Sequence, residues 1–162
     1  MSAEPQETTQ DELKPSRKFL EEISASREGY PPNLGARHLI EIFHYEGKGR
    51  GLRAMDDIPA GTLIEGAPVI VMDAEELLVA DKTNIKNYWF HWDGEFMGGG
   101  RGAIALGYIS CCNHSTNANA YFNQNHASHT MELIALRDIA KGEEVTIDYL
   151  VEPWWEHETI DN

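Results

Sequence analysis

The sequence predicts a mainly β domain with a few short helices. Short runs rich in Ile, Val, Phe, Tyr and Thr recur along the chain, turns containing glycine or proline separate them, and one stretch alone combines strong helix formers with a capping pair. With 162 residues and 41% apolar composition the chain can bury one substantial core, and it is too short for two ordinary domains.

In chain order, residues 1–28 read as an acidic N-terminal arm, disordered or partly helical. Within it, Lys18, Phe19, Leu20 and Ile23 allow one short helix over Ser16–Ile23, and Pro31-Pro32-Asn33 ends any such element. The folded domain is expected over 36–150. Leu39 to Tyr45 reads as a strand running into the glycine-rich turn Gly47-Lys48-Gly49-Arg50-Gly51. Further strands are expected at Leu63–Gly66, Val69–Met72, Ala118–Asn123, Thr130–Ala135 and Glu144–Tyr149. Asp73 followed by Glu76 has the form of a capping box, which starts a helix over Ala74–Ala80. The aromatic run Tyr88-Trp89-Phe90-His91-Trp92 ends in Asp93-Gly94, a hairpin signal. Its alternating members Tyr88, Phe90 and Trp92 read as sheet packing in preference to a substrate wall. No repeat of roughly 20–50 residues is present. Residues 151–162 form a C-terminal aromatic tail.

Charge and cysteine usage narrow the function classes. Thirteen basic residues against 27 acidic ones give a net charge of −14, which argues against direct binding to a phosphate backbone. The same field either speeds encounter with a basic peptide or only maintains solubility. No apolar stretch approaches the roughly 18 residues of a membrane span, and the N-terminus lacks the layout of a secretion signal. Cys111 and Cys112 are adjacent, so they cannot bridge distant segments, and they read as small core residues. A soluble, intracellular protein, cytoplasmic or nuclear, is the expectation. His126 and His129 lack further ligands at fixed spacing, and no metal site is expected.

Three segments carry the chemistry. In the first, alternating glycines around Lys48 and Arg50 let backbone amides and carbonyls lie against a flat or charged ligand, although such a turn is often purely structural. The second holds Leu106-Gly107-Tyr108, then Asn113-His114-Ser115, then Asn117 and Asn119. These side chains offer donors and acceptors without a strong base, a set suited to holding a polar cofactor. The third, Gly142-Glu143-Glu144-Val145-Thr146-Ile147-Asp148-Tyr149, reads as a turn, a strand and a tyrosine delivered at its end.

In this order and spacing the three segments resemble the SET domain, in its short form without a downstream zinc-binding cysteine cluster. The resemblance covers about Ala36 to Leu150. It implies the β-clip fold, with a knot-like crossing of the two late segments, and protein-lysine N-methyltransferase activity with S-adenosyl-L-methionine as cofactor. The backbone of Lys48, Gly49, Arg50 and Gly51 would hold the methionine part of that cofactor, Asn113 and His114 its amino group and adenine. Tyr149 would stand at the methyl-transfer point. Tyr108 would line the lysine channel or simply pack. Phe122 and Ile147 match the channel positions that govern methyl number, and their lack of a hydroxyl implies di- or trimethylation. Trp154 and Trp155 are placed to replace the aromatic wall that zinc-containing relatives carry. The implied partner is a basic, lysine-containing protein or peptide, histone or other, and a homodimer stays open. The alternative is a SET-like module that binds such a peptide without turnover. The chain departs from the family pattern on both sides of Asn113-His114-Ser115, with Ser110-Cys111-Cys112 before it and the proline-free Thr116-Asn117-Ala118-Asn119 after it.

Overall fold

Glycine chemistry sets the first hairpin. Strand β1 (Ile40–Tyr45) pairs antiparallel with β2 (Gly49–Ala54) from Ile40↔Ala54 to Tyr45↔Gly49. The three-residue loop between them closes with Lys48 N donating to Tyr45 O at 3.1 Å. Gly47 and Gly49 both sit at φ +77°, a region that costs side-chain-bearing residues, so the tight turn depends on them. These elements belong to a computed structural model that describes Lys18, residues 39–93 and residues 100–150. The proposed arm helix apart from Lys18, the Asp93-Gly94 turn beyond Asp93, and the C-terminal tail lie outside the described residues.

Beyond β2 a short element recurs. Ala54-x-x-Asp57-Ile58-x-x-Gly61 has a counterpart in Ala135-x-x-Asp138-Ile139-x-x-Gly142. The two copies bind each other with paired hydrogen bonds. Ile58 N donates to Ile139 O at 2.8 Å and Ile139 N to Ile58 O at 2.9 Å. Ala60 N donates to Asp138 Oδ1, and Lys141 N to Asp57 Oδ1, each at 2.8 Å. Gly61 N reaches Ala135 O and Gly142 N reaches Ala54 O, again at 2.8 Å each. Gly61 and Gly142 close the two turns at φ +80° and +86°. This local two-fold ties the end of β2 to the chain that leads into the last strand.

Strand β3 (Leu63–Met72) runs through both segments expected as separate strands. Pro68 does not break it because β3 changes partner there. Its first part, up to Pro68, pairs with β8 (Thr130–Ala135), and Val69 to Met72 pair with β5 (Arg101–Ala105). The helix α1 (Ala74–Ala80) follows with the expected capping box, Asp73 Oδ1 accepting from Glu75 N at 3.0 Å and Glu76 N at 2.9 Å. A 3-10 turn over Asn84–Asn87 then leads to β4 (Trp89–Asp93). A second 3-10 turn (Tyr108–Cys111) precedes the two-residue β6 (Asn113–His114), and β7 (Ala120–Asn125) and β9 (Glu144–Ile147) complete the set.

Two sheets result, ordered β1-β2-β9-β6 and β4-β5-β3-β8-β7. Ile40, Leu52, Ile58, Ile64, Ile109, Met131, Leu133, Ile139, Val145 and Ile147 are fully buried in the core. The architecture is mainly β with few helices, as the sequence predicts. The larger sheet curls until its edges β4 and β7 face each other: Gln124 Nε2 donates to His91 O, and the Phe90 and Phe122 rings lie 5.3 Å apart. Among the described residues, no helix is long and apolar enough to cross a membrane.

Candidate active site

Strand β9 is the element around which the three segments meet. It pairs antiparallel with β2 (Leu52↔Val145, Arg53↔Glu144) and parallel with β6 (Asn113↔Thr146, His114↔Ile147). The two late segments therefore lie side by side, with the whole β7–β8 hairpin between them in sequence. Asn119, 2% exposed, clamps β9 from below. Its Oδ1 accepts from Thr146 N at 2.9 Å, and its Nδ2 donates to Glu144 O at 2.7 Å and Glu143 Oε1 at 3.0 Å. Both ends of the Asn119 amide thus bond the protein's own last segment.

Glu144 joins the segments through one carboxylate. Oε1 accepts from Asn113 Nδ2 at 2.8 Å and Oε2 from Lys48 Nζ at 2.7 Å. Gly51 makes this approach sterically feasible: a Cβ there would sit 2.5 Å from Asn113 Nδ2 and 2.8 Å from Tyr45 Cδ2.

Tyr149 lies just past β9. Its backbone N donates to His114 Nδ1 at 3.2 Å, and its hydroxyl donates to the Cys112 carbonyl at 2.7 Å. Burial first, and nearby acidic groups second, push the phenol up to about 12, so it stays protonated at neutral pH. Because its proton is committed to Cys112, the phenol oxygen has lone pairs left to accept from an incoming donor.

The turn that leads into Cys112 is itself held in place, with Cys112 N donating to Ile109 O at 3.0 Å. Glu65, buried beneath the second 3-10 turn, accepts from Tyr108 N at 2.9 Å and Ile109 N at 2.7 Å. Burial raises its pKa, and the two amide bonds oppose that rise. Cys112 is 3% exposed, with Sγ 3.2 Å from Val145 O; burial drives its thiol far up and leaves it an inert core residue.

A cavity of about 900 Å³ opens between the facing edges of the larger sheet. Tyr88, Trp89, Phe90, Tyr121, Phe122 and Tyr149 are among its walls. Of the three channel residues, Phe122 lines it, whereas Ile147 is fully buried and Tyr108 packs against the core away from the lining. The alternating aromatic stripe divides: Trp92 is core, as packing requires, but Tyr88 and Phe90 face the cavity. Period-two spacing could not show this, because the curl of the sheet turns both edges towards one space. Trp89 and His91 of the same aromatic run also line the cavity, as do Tyr121 and Gln124, which no motif marked. His126 packs edge-on and His129 tilted against Trp92, with ring centroids 4.6 and 6.4 Å away. Among the described residues no cluster of three metal-ligating side chains occurs.

The structure thus brings Lys48, Gly49, Arg50, Gly51, Asn113, His114 and Tyr149 into one region, while Trp154 and Trp155 lie outside the described residues. The SET domain family matches residues 49–150. The chain belongs to the SET-domain family. The SET domain of this chain is 33% identical over 123 residues to a Schizosaccharomyces pombe protein, "Histone-lysine N-methyltransferase, H3 lysine-37 specific", a match covering 75% of this chain and 80% of that one. It is 35% identical over 122 residues to the Saccharomyces cerevisiae "Histone-lysine N-methyltransferase, H3 lysine-36 specific", covering 70% of this chain and 16% of that protein. Among solved structures, the Neurospora SET domain protein DIM-5, a histone lysine methyltransferase, superposes with a TM-score of 0.54 at 22% identity, over 74% of this chain and 55% of that one. That likeness shows the fold. Protein-lysine N-methyltransferase, the enzyme class implied by the motifs, is the class of these relatives.

Proposed function

We propose that this SET-domain protein transfers a methyl group from S-adenosylmethionine to the side-chain amine of a lysine in a basic protein, with histone H3 as the leading candidate substrate. The observation that carries the reading is Tyr149 in the aromatic-walled cavity, its hydroxyl proton held by the Cys112 carbonyl.

The residues present fit such a cofactor. Gly49 at φ +77° holds a backbone conformation that favours glycine, and Gly51, without a Cβ, lets the Asn113 amide stand directly against the glycine hairpin. The backbone of Lys48 to Gly51, with Asn113 and His114, would hold it, and Trp154 and Trp155 of the tail are proposed to close over it. When bound, it supplies a methyl group on a cationic sulphur, ready for in-line displacement.

The chain's own residues then have two tasks. The aromatic walls strip water from the lysine amine, whose ordinary pKa is near 10.4, and so favour its neutral, nucleophilic form. The Tyr149 oxygen accepts an amine N–H and fixes the direction of the remaining lone pair, which is the orientation term in catalysis. With a net charge of −14 the protein attracts a basic tail, and a histone substrate would place it in the nucleus. Phe122 at the cavity wall adds no hydroxyl of its own, which supports space for more than one methyl group.

The test is labelled-methyl transfer to core histones by the wild type and by Tyr149→Phe, with cofactor affinity measured by calorimetry. Tyr149→Phe should lower turnover about a hundredfold or more, the cost of a misaligned reactant, and leave cofactor affinity within about twofold. Unchanged turnover would remove Tyr149 from the role.

A further inference from the structure

Arg50 occupies the position between the two glycines of β2, and strand alternation sends its side chain to the opposite face from theirs. The missing Cβ of Gly51 points at Asn113 and Tyr45. The Arg50 guanidinium instead crosses to the other sheet, where Nη2 donates to Tyr88 Oη at 2.6 Å and Cζ lies 5.6 Å from the centre of the Tyr88 ring.

Tyr88 needs such a partner. It ends the 3-10 turn Asn84–Asn87 and stands one residue before β4, whose first ladder pair is Trp89↔Ile104. No sheet register therefore fixes its ring, yet that ring forms part of the cavity wall with Tyr149. The two phenols are close enough for Tyr88 to help raise the pKa of Tyr149.

We propose that the Arg50 side chain is a positioning residue for substrate: it holds Tyr88 in the amine-binding wall and so ties that wall to the glycine hairpin. The inference rests on the methyltransferase reading above and extends it to how the substrate is gripped. Arginine suits the position because a planar guanidinium can donate to a phenol oxygen and lie near its ring at the same time, which an ammonium does less well. Lysine at this position keeps the charge and loses the plane.

The experiment compares Arg50→Met, Arg50→Lys, Tyr88→Phe and the double variant Arg50→Met/Tyr88→Phe in full-length protein, with a histone H3 tail peptide as substrate. Arg50→Met and Tyr88→Phe should each raise the peptide KM roughly three- to tenfold, with kcat, cofactor affinity and melting temperature nearly unchanged. The double variant should be no worse than either single one, and Arg50→Lys should recover part of the loss. Additive losses, an unaltered KM, or cofactor affinity falling in step with KM would each overturn the assignment, the last by placing the side chain on the cofactor. Wild-type protein that methylates no histone would sink the functional reading instead. The Arg50 assignment would still be decided by NMR of labelled tyrosine, in which Arg50→Met must shift the Tyr88 ring signals and speed ring flipping; unchanged signals would refute it.

Discussion

Replacing Asn119 with alanine should destabilise the protein by about 2–4 kcal/mol, without a direct effect on any ligand. The size follows from what the amide holds. Thr146 N is buried and bonds Asn119 Oδ1 at 2.9 Å; orphaning it costs roughly 1–3 kcal/mol. The Glu144 carbonyl loses a 2.7 Å partner and adds about 1 kcal/mol. Glu143 loses least, since Arg137 Nη2 remains 2.6 Å from its Oε1. For a chain of 162 residues such a loss lowers the melting temperature by about 5–15 °C. Urea unfolding is the assay, with a lower midpoint at constant slope as the expected result. Asn119→Asp should be no better, because a carboxylate would face the Glu144 carbonyl and the Glu143 carboxylate where an NH2 group now donates. If Asn119→Ala stays within about 0.5 kcal/mol of the wild type and instead loses cofactor affinity, the clamp is wrong and the residue belongs to the ligand site.

Two other perturbations separate geometry from chemistry. Gly51→Ala puts a Cβ 2.5 Å from Asn113 Nδ2 and should cost about 1–3 kcal/mol, with weaker cofactor binding by calorimetry. Gly47→Ala meets open space and should cost only the roughly 1 kcal/mol of its positive φ, with binding retained. Acid is the second perturbation. The Arg137 guanidinium first, and hydrogen bonds from Asn119 and Ala140 N with it, bring Glu143 from its ordinary 4.5 down to about 2. A depressed carboxyl contributes its stability above pH 4.5 and loses it as pH falls towards 2. The full shift corresponds to about 3 kcal/mol, but with 31% of the side chain exposed, screening reduces this to about 1 kcal/mol. Urea titrations between those pH values should show Glu143→Gln flattening the acid-side loss; an identical pH slope would refute the assignment.

The local elements were legible because each depends on neighbours in sequence. Asp73 and Glu76 cap α1 where a capping box requires it, and the glycines around Lys48 form the turn their positive φ allows. Long-range geometry was not legible in the same way. Leu63–Gly66 and Val69–Met72 read as separate strands until β3 is seen to run through both and to change partners beside Pro68. Tyr88 and Phe90 read as packing because alternation reports a strand's two faces and says nothing about a sheet that curls. The Ala54–Gly61 and Ala135–Gly142 copies do not stand out in the sequence because they are short and far apart, and only their reciprocal hydrogen bonds make them one unit. The three separated motifs did indicate the family, but the reason they travel together is visible only where their side chains touch.

That reason is the pair Glu143-Glu144. Both are acidic and adjacent, so composition alone treats them as interchangeable surface charge. Their partners divide them. Glu143 takes Arg137, Asn119 and the amide of Ala140, and so fixes the turn by which β9 begins. Glu144 takes Lys48 and Asn113, and so fixes where the glycine hairpin and the Asn-His segment stand relative to that strand. Since Tyr149 lies just past that strand and bonds His114 and Cys112, a change at either glutamate reaches the phenol through a few hydrogen bonds. The two routes differ in kind: loss of Glu143 loosens the strand that carries Tyr149, whereas loss of Glu144 leaves the strand in place and releases the cofactor-side segments from it.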